Sequence, residues 1–146
     1  MHVQFALFAD AANLSQEGKL NILGVFDALH VGQLPSLHPR ATFVVRLKAV
    51  AEDEGAHGVS LEWVNPAGVV LWSSTGELVV GPVHEGADGI DVPLLAVVDL
   101  PMDVPGLYTM VVAVDGAEAT RTALQVTQVL ASALPLAPPA PAGLVS

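Results

Sequence analysis

Hydroxyls, histidines and clustered carboxylates are the side chains of this sequence that could carry chemistry, and their spacing disfavours each. A hydrolytic triad needs a Ser or Cys nucleophile on a tight turn with a His and a carboxylate in reach. The chain has no Cys and no Gly-x-Ser-x-Gly, and Ser73-Ser74 follow Trp72 at the end of an apolar run. His2, His30, His38, His57 and His84 occur singly. Without a His-x-His or His-Glu-x-x-His pair nothing pre-organises a metal, so they read as loop or surface histidines. Carboxylates gather at Glu52-Asp53-Glu54 and at Glu85, Asp88 and Asp91. A Ca²⁺ ion would take roughly six to eight oxygens from such loops, but neither cluster has a calcium-loop spacing, and solvated acidic loops are expected. Gly81, Gly86 and Gly89 are followed by no Gly-Lys-Ser/Thr and open no helix, so no phosphate cradle is expected. These patterns predict a protein that is not an enzyme and holds no metal or cofactor.

The most distinctive polar set is Asp10, Asn13, Lys19, Asn21, Asp27, His38 and Arg40. It reads either as a binding face at one end of the fold or as turn chemistry, with Asp10 and Asn13 bonding their own loop, Asp27 ending a strand and Pro39 fixing a strand entry. Arg46 and Lys48, with Arg40 nearby, make a small positive spot whose expected role is local pairing with carboxylates.

The elements that must position these residues are strands, because nearly every apolar segment alternates with a period of two. Expected strands are Val3–Asp10, Lys19–Asp27, Thr42–Val50, a segment through Val59, Leu61 and Trp63, Val69–Ser74, Glu77–Val80, Ile90–Asp99, Leu107–Val114 and Ala119–Gln128. In the third, Phe43, Val45, Leu47 and Ala49 face a core while Thr42, Val44, Arg46 and Lys48 make a wet face. Asn65-Pro66-Ala67-Gly68 suits a type I turn, and Asp115-Gly116 is a two-residue hairpin signal. Gly24 inside its strand suggests a bulge.

Eight or nine short strands predict an all-β, Ig-like antiparallel sandwich. Pro105-Gly106-Leu107-Tyr108 opens the penultimate strand, where such sandwiches place a tyrosine whose hydroxyl bonds back to nearby backbone. Trp63 or Trp72 is expected in the inter-sheet core. Residues 1–131 form the predicted domain, and 132–146, with four prolines and no charge, an extended tail biased to polyproline II.

Composition narrows the partners. At 15.0 kDa the unfolded chain exposes roughly 22,000 Å² and the folded one roughly 7,000 Å², enough burial for one ordinary core. With 5 Lys+Arg against 15 Asp+Glu the net charge is −10, which repels phosphate backbones and anionic lipid. No apolar run approaches the ~18 residues of a membrane span. The opening Met1-His2-Val3-Gln4-Phe5 lacks a basic leader, and a cytoplasmic protein that binds neither nucleic acid nor membrane is expected.

Leu7-Phe8-Ala9-Asp10-Ala11-Ala12-Asn13, then Gly18-Lys19-Leu20-Asn21-Ile22-Leu23-Gly24-Val25-Phe26-Asp27, then His38-Pro39-Arg40 resemble the opening of an uncharacterised bacterial domain family of about this length. The likeness runs from about Val3 to Gln128 and implies a single domain without an established activity. The function expected from the residues is a non-enzymatic structural or protein-interaction module that binds itself or another protein, its specific form being a subunit of a larger assembly such as a shell or phage-type decoration protein. A small-ligand or carbohydrate-binding sandwich is the alternative. The expectation rests on strands such as Leu107–Val114, apolar on both faces so that something must cover the second, and on Leu134, Leu136, Leu144 and Val145 as an interface.

Overall fold

The computed structural model describes residues 1–129. Over that span the chain is all-β, with nine strands and one short 3₁₀ turn at Ala51–Asp53. The strands are β1 (His2–Leu14), β2 (Leu20–Phe26), β3 (Ala28–Val31), β4 (Ser36–Ala49), β5 (Gly55–Val64), β6 (Val70–Val80), β7 (Ile90–Met102), β8 (Gly106–Val114) and β9 (Ala117–Gln128). They form a four-stranded sheet in the order β2-β1-β4-β7 and a five-stranded sheet in the order β3-β9-β8-β5-β6. No helix among the described residues is long and apolar enough to cross a membrane.

Alternating apolar residues of both sheets meet between them. Phe8, Phe43, Val45 and Leu47 come from one sheet, and Trp63, Tyr108, Met110, Val112 and Leu124 from the other, all essentially without exposure. Trp63 holds the centre. Its ring stacks on Tyr108 at 5.2 Å and meets the edge of Phe8 at 5.8 Å, and its indole N–H donates to the Pro101 carbonyl at 2.8 Å. Burying so large a ring with its donor satisfied avoids the desolvation cost that makes unpaired polar groups expensive.

Tyr108 closes one end of the sandwich as its Pro-Gly entry predicts. Its hydroxyl donates to the Val104 carbonyl at 2.6 Å, with the Asp103 carboxylate at 2.7 Å, and accepts the amides of Asp103 and Val104 at 2.9 and 3.0 Å. Asp103 in turn accepts from the side-chain amide of Asn65 at 2.8 Å, while Asn65 Oδ1 caps the amides of Ala67 and Val69. The predicted turn at Asn65 closes with the Gly68 amide on the Asn65 carbonyl at 3.0 Å, so turn and corner share one polar network. At the opposite end Asp115 and Gly116 take positive φ (51° and 81°), as the predicted two-residue hairpin requires.

Four strand assignments differ from the sequence reading. β3 has only four residues and no readable alternation, and it pairs parallel to β9, so the sandwich is not purely antiparallel. Val69–Ser74 and Glu77–Val80 are one strand, since Gly76 stays extended and pairs opposite Val59. β1 runs on to Leu14 through the expected loop at Asn13. His38-Pro39-Arg40 does not precede a strand but lies inside β4, where the register shifts and Arg40 takes φ 56° with its amide on the Asp99 carboxylate.

The expected wet face of β4 is half correct. Arg46 and Lys48 are partly exposed, but Thr42 and Val44 are buried, and Val44 lies outside the main core. The cover is the β1–β2 hairpin. Phe5 pairs with Arg46, so a straight β1 would carry Leu14 about 30 Å beyond it. Instead Leu14, Gly18, Lys19 and Leu20 line one cleft with Arg46, Asp91 and Pro93, which places the hairpin tip back over the outer face of the sheet. Gly24 serves this bend rather than a bulge: the β1–β2 register runs through it unshifted, φ is 71°, and a Cβ there would overlap the Asp10 carboxylate.

Candidate functional site

The two sheets are edged on one long side by β6 and β7, each paired on one side only among the described residues. β7 is a guarded edge, carrying Pro93 and Pro101 inside the strand and Asp91 and Asp99 on it, residues that hinder further pairing. β6 has neither Pro nor Lys nor Arg, and its single charge is Glu77. Its core-facing positions are Trp72, Ser74, Gly76, Leu78 and Val80, alternate residues opposite Trp63, Leu61, Val59, His57 and Gly55. Ser74 and Gly76 are too small to fill the space beneath them. The result is a slot of about 140 Å³ between the sheets, floored by Val59, Leu61, Leu94 and Ala96 and bordered by Ser74 to Glu77. A Cβ at Gly76 would meet nothing within 4 Å. Beside the slot, Trp72, Ser74, Val97, Val98 and Asp99 line a shallower cleft, and the Trp72 indole donates to the Asp99 carbonyl at 2.9 Å.

Two other polar groupings stand elsewhere. Near the Asp115 hairpin, His57 places Nδ1 2.6 Å from the Asp115 carboxylate and Nε2 2.5 Å from the Asp53 carbonyl. Both neighbours are acceptors, so only the imidazolium donates to each, and the His57 pKa is raised, chiefly by the Asp115 hydrogen bond and then by the Asp53 carbonyl. Asp115 is lowered by the same His57 bond and by the Gly58 amide. Asp53 is lowered first by the Val50 amide and then by the terminal ammonium of Met1, 3.0 Å away. Under the β1–β2 hairpin, in the cleft of about 290 Å³, Asp91 pairs with Arg46 and, at 3.8 Å, with Lys48, and its pKa is lowered mainly by Arg46. The positive spot thus pairs locally, as expected.

Residues 4–127 match the family of unknown function DUF6941. The chain belongs to that family. No curated protein matches it. Among solved structures the DUF6941 fold is similar to part of the alkylpurine DNA glycosylase AlkC of Pseudomonas fluorescens, solved bound to DNA containing an abasic site analogue, at 9% identity and a TM-score of 0.38. The likeness covers 84% of this chain and 30% of that one, so the chain spans under a third of that protein. Similarity this slight carries no argument about DNA.

Of the seven polar residues singled out in the sequence, one pair is joined: the Asn21 side chain donates to Asn13 Oδ1 at 3.0 Å across the β1–β2 hairpin. Lys19 lies at the tip with Glu17 at 3.6 Å, and Asp10 sits over Gly24. The Asp27 carbonyl accepts from the Gln125 amide where the chain crosses between sheets, His38 packs on Phe26 at 5.5 Å, and Arg40 marks the β4 irregularity. These contacts lie within the β1–β2 hairpin, the crossing at Asp27 and the β4 irregularity of this DUF6941 chain. Leu134, Leu136, Leu144 and Val145 lie outside the described residues, as does the Pro-rich tail. Sequence reading missed the β6 slot, whose signal was present as two small residues, Ser74 and Gly76, in phase between Trp72 and Leu78. It also missed the His57–Asp115 pair, because the partners are 58 residues apart.

Proposed function

We propose that this DUF6941 domain is a non-enzymatic interaction module, an Ig-like sandwich that docks another polypeptide. The Ig-like reading is supported by the two facing sheets, the Trp63 core and the Tyr108 corner. One observation carries the functional reading. Among the described residues, five of the eleven exposed large apolar side chains lie on edge strands, the three most exposed among them: Leu23 (72%) and Val25 (59%) on β2, Val79 (67%) and Val70 on β6, and Val97 (67%) on β7.

Edges lined this way favour association with another chain. The central outer face of the five-stranded sheet has a different character: Val111 lies between Glu62 and Arg121 in register, and water suits it. On β8 itself the outward residues are Leu107, which is exposed, and Thr109, Val111 and Ala113, which are half-buried. In this reading the module works in the cytoplasm as one part of a larger assembly.

Cross-linking of the intact chain in its native cells, followed by mapping of the linked positions, tests the proposal. Recurrent links from β2, β6 or β7 to one polypeptide, a copy of itself included, are expected. Links scattered evenly over the surface would contradict it.

A further inference from the structure

Resting on that reading, we propose that β6 accepts an extended segment of another protein as an added strand, with an aliphatic side chain seated in the Ser74–Gly76 slot and a Lys or Arg beside it facing Glu77. The backbone part follows from topology: β6 has eleven residues, pairs only with β5 among the described residues, and carries no proline to interrupt a new ladder. Main-chain bonds supply affinity in such strand addition, and pockets for alternate side chains supply selectivity. A strand laid along β6 projects every second side chain inward over the gap to β7. At Gly76 that direction meets the slot floored by Val59, Leu61, Leu94 and Ala96. An apolar cavity of about 150 Å³ holds a benzene-sized group, so about 140 Å³ admits one Leu, Ile or Met side chain and no larger ring system.

Charge selects among possible occupants. Glu77 is the next residue along β6 and faces outward, so the neighbours of the seated side chain lie over it. The five basic residues are placed elsewhere. Lys19, Arg46 and Lys48 lie about the hairpin cleft, Arg121 pairs with Glu118 at 2.7 Å, and Arg40 lies at the β4 irregularity. A second copy would bring another net charge of −10 against Glu77. Residues 130–146 carry no charge to set against it. A basic, extended segment of a different protein fits both slot and rim.

The probe is a fluorescein-labelled synthetic peptide, acetyl-Thr-Val-Lys-Leu-Lys-Val-Thr-amide, titrated with the full chain and read by anisotropy. Saturable binding is expected, weakened about tenfold or more when the central Leu is replaced by Ser or both Lys by Glu. Gly76→Val adds side-chain volume where a Cβ meets nothing within 4 Å, and it should weaken binding at least as much while the melting temperature holds or rises. Glu77→Lys should reverse the preference between the Lys and Glu peptides. Equal affinity of wild type and Gly76→Val, or no saturable binding to wild type, overturns the slot. Should that occur while the edge-strand cross-links described above persist, the module reading stands and only this occupant is wrong.

Discussion

Where β2 passes into β3, the gap between the sheets is closed by the chain itself, which crosses at Asp27 and returns through residues 32–35 to β4, with Phe26, Phe8 and Phe43 filling the space behind it. Where β6 faces β7, the chain crosses only beyond the strand ends, through residues 81–89 from Val80 to Ile90, and Ser74 and Gly76 leave the core beside it open to the outside. The two sides share one alternation of residues. They differ in the size of the inward side chains, which are aromatic rings behind the Asp27 crossing and Ser74 and Gly76 beside the 81–89 crossing. Large inward residues make a side structural, and small ones on an unguarded edge make it receptive.

Deleting a closed-side anchor should produce the largest effect. Phe8 is 1% exposed and packs on three aromatic rings, so Phe8→Ala should cost about 3–5 kcal/mol in urea unfolding. Val97→Ala on the open side should stay within roughly 0.5 kcal/mol, since that residue is 67% exposed. Equal losses would erase the distinction between the sides. Tyr108→Phe calibrates a structural site at the end of the sandwich. It strips the amides of Asp103 and Val104 of their shared acceptor, and about 1–3 kcal/mol of stability should go with it.

On the open side the sign reverses. Gly76→Val should raise stability by roughly 0.5–1 kcal/mol, because a glycine in a strand is costly and the new side chain enters empty space. A falling urea midpoint would show that the slot is not open in solution.

The smallest effect belongs to His57. Its folded pKa lies above the ordinary 6.5, so its stabilising contribution is complete below that value and is lost as pH rises through the folded value. Asp115, lowered by the same bond, contributes above its ordinary 3.8 and loses its contribution as pH falls towards its folded value. Between about pH 6 and pH 9 the melting temperature of wild type should decline more than that of His57→Gln. Parallel profiles would remove the pair from the stability account.

Much of this architecture can be read along the chain, and the unread parts share a cause. The alternation in β8, the Pro-Gly entry to Tyr108 and the Asp115-Gly116 turn are local signals, and each element forms where they place it, while β4 begins six residues before its expected start. The burial of Val44, the shortness of β3 and the continuity of β6 through Gly76 depend on what lies across the fold. A period of two cannot show that the hairpin tip returns over its own sheet. The polar residues between Asp10 and Arg40 stood out because turns and bends concentrate such chemistry. The receptive edge escaped notice because its mark is missing side-chain volume.

Hydrogen exchange along β6 of the full chain alone tests the open side most directly. Amides of Val70–Val80 that pair with β5 should be protected. Those directed away from β5 should exchange as fast as loop amides, and they should become protected when the Lys-Leu-Lys peptide is added. Uniform protection of β6 in the protein alone would contradict the account, since the edge would then already be covered.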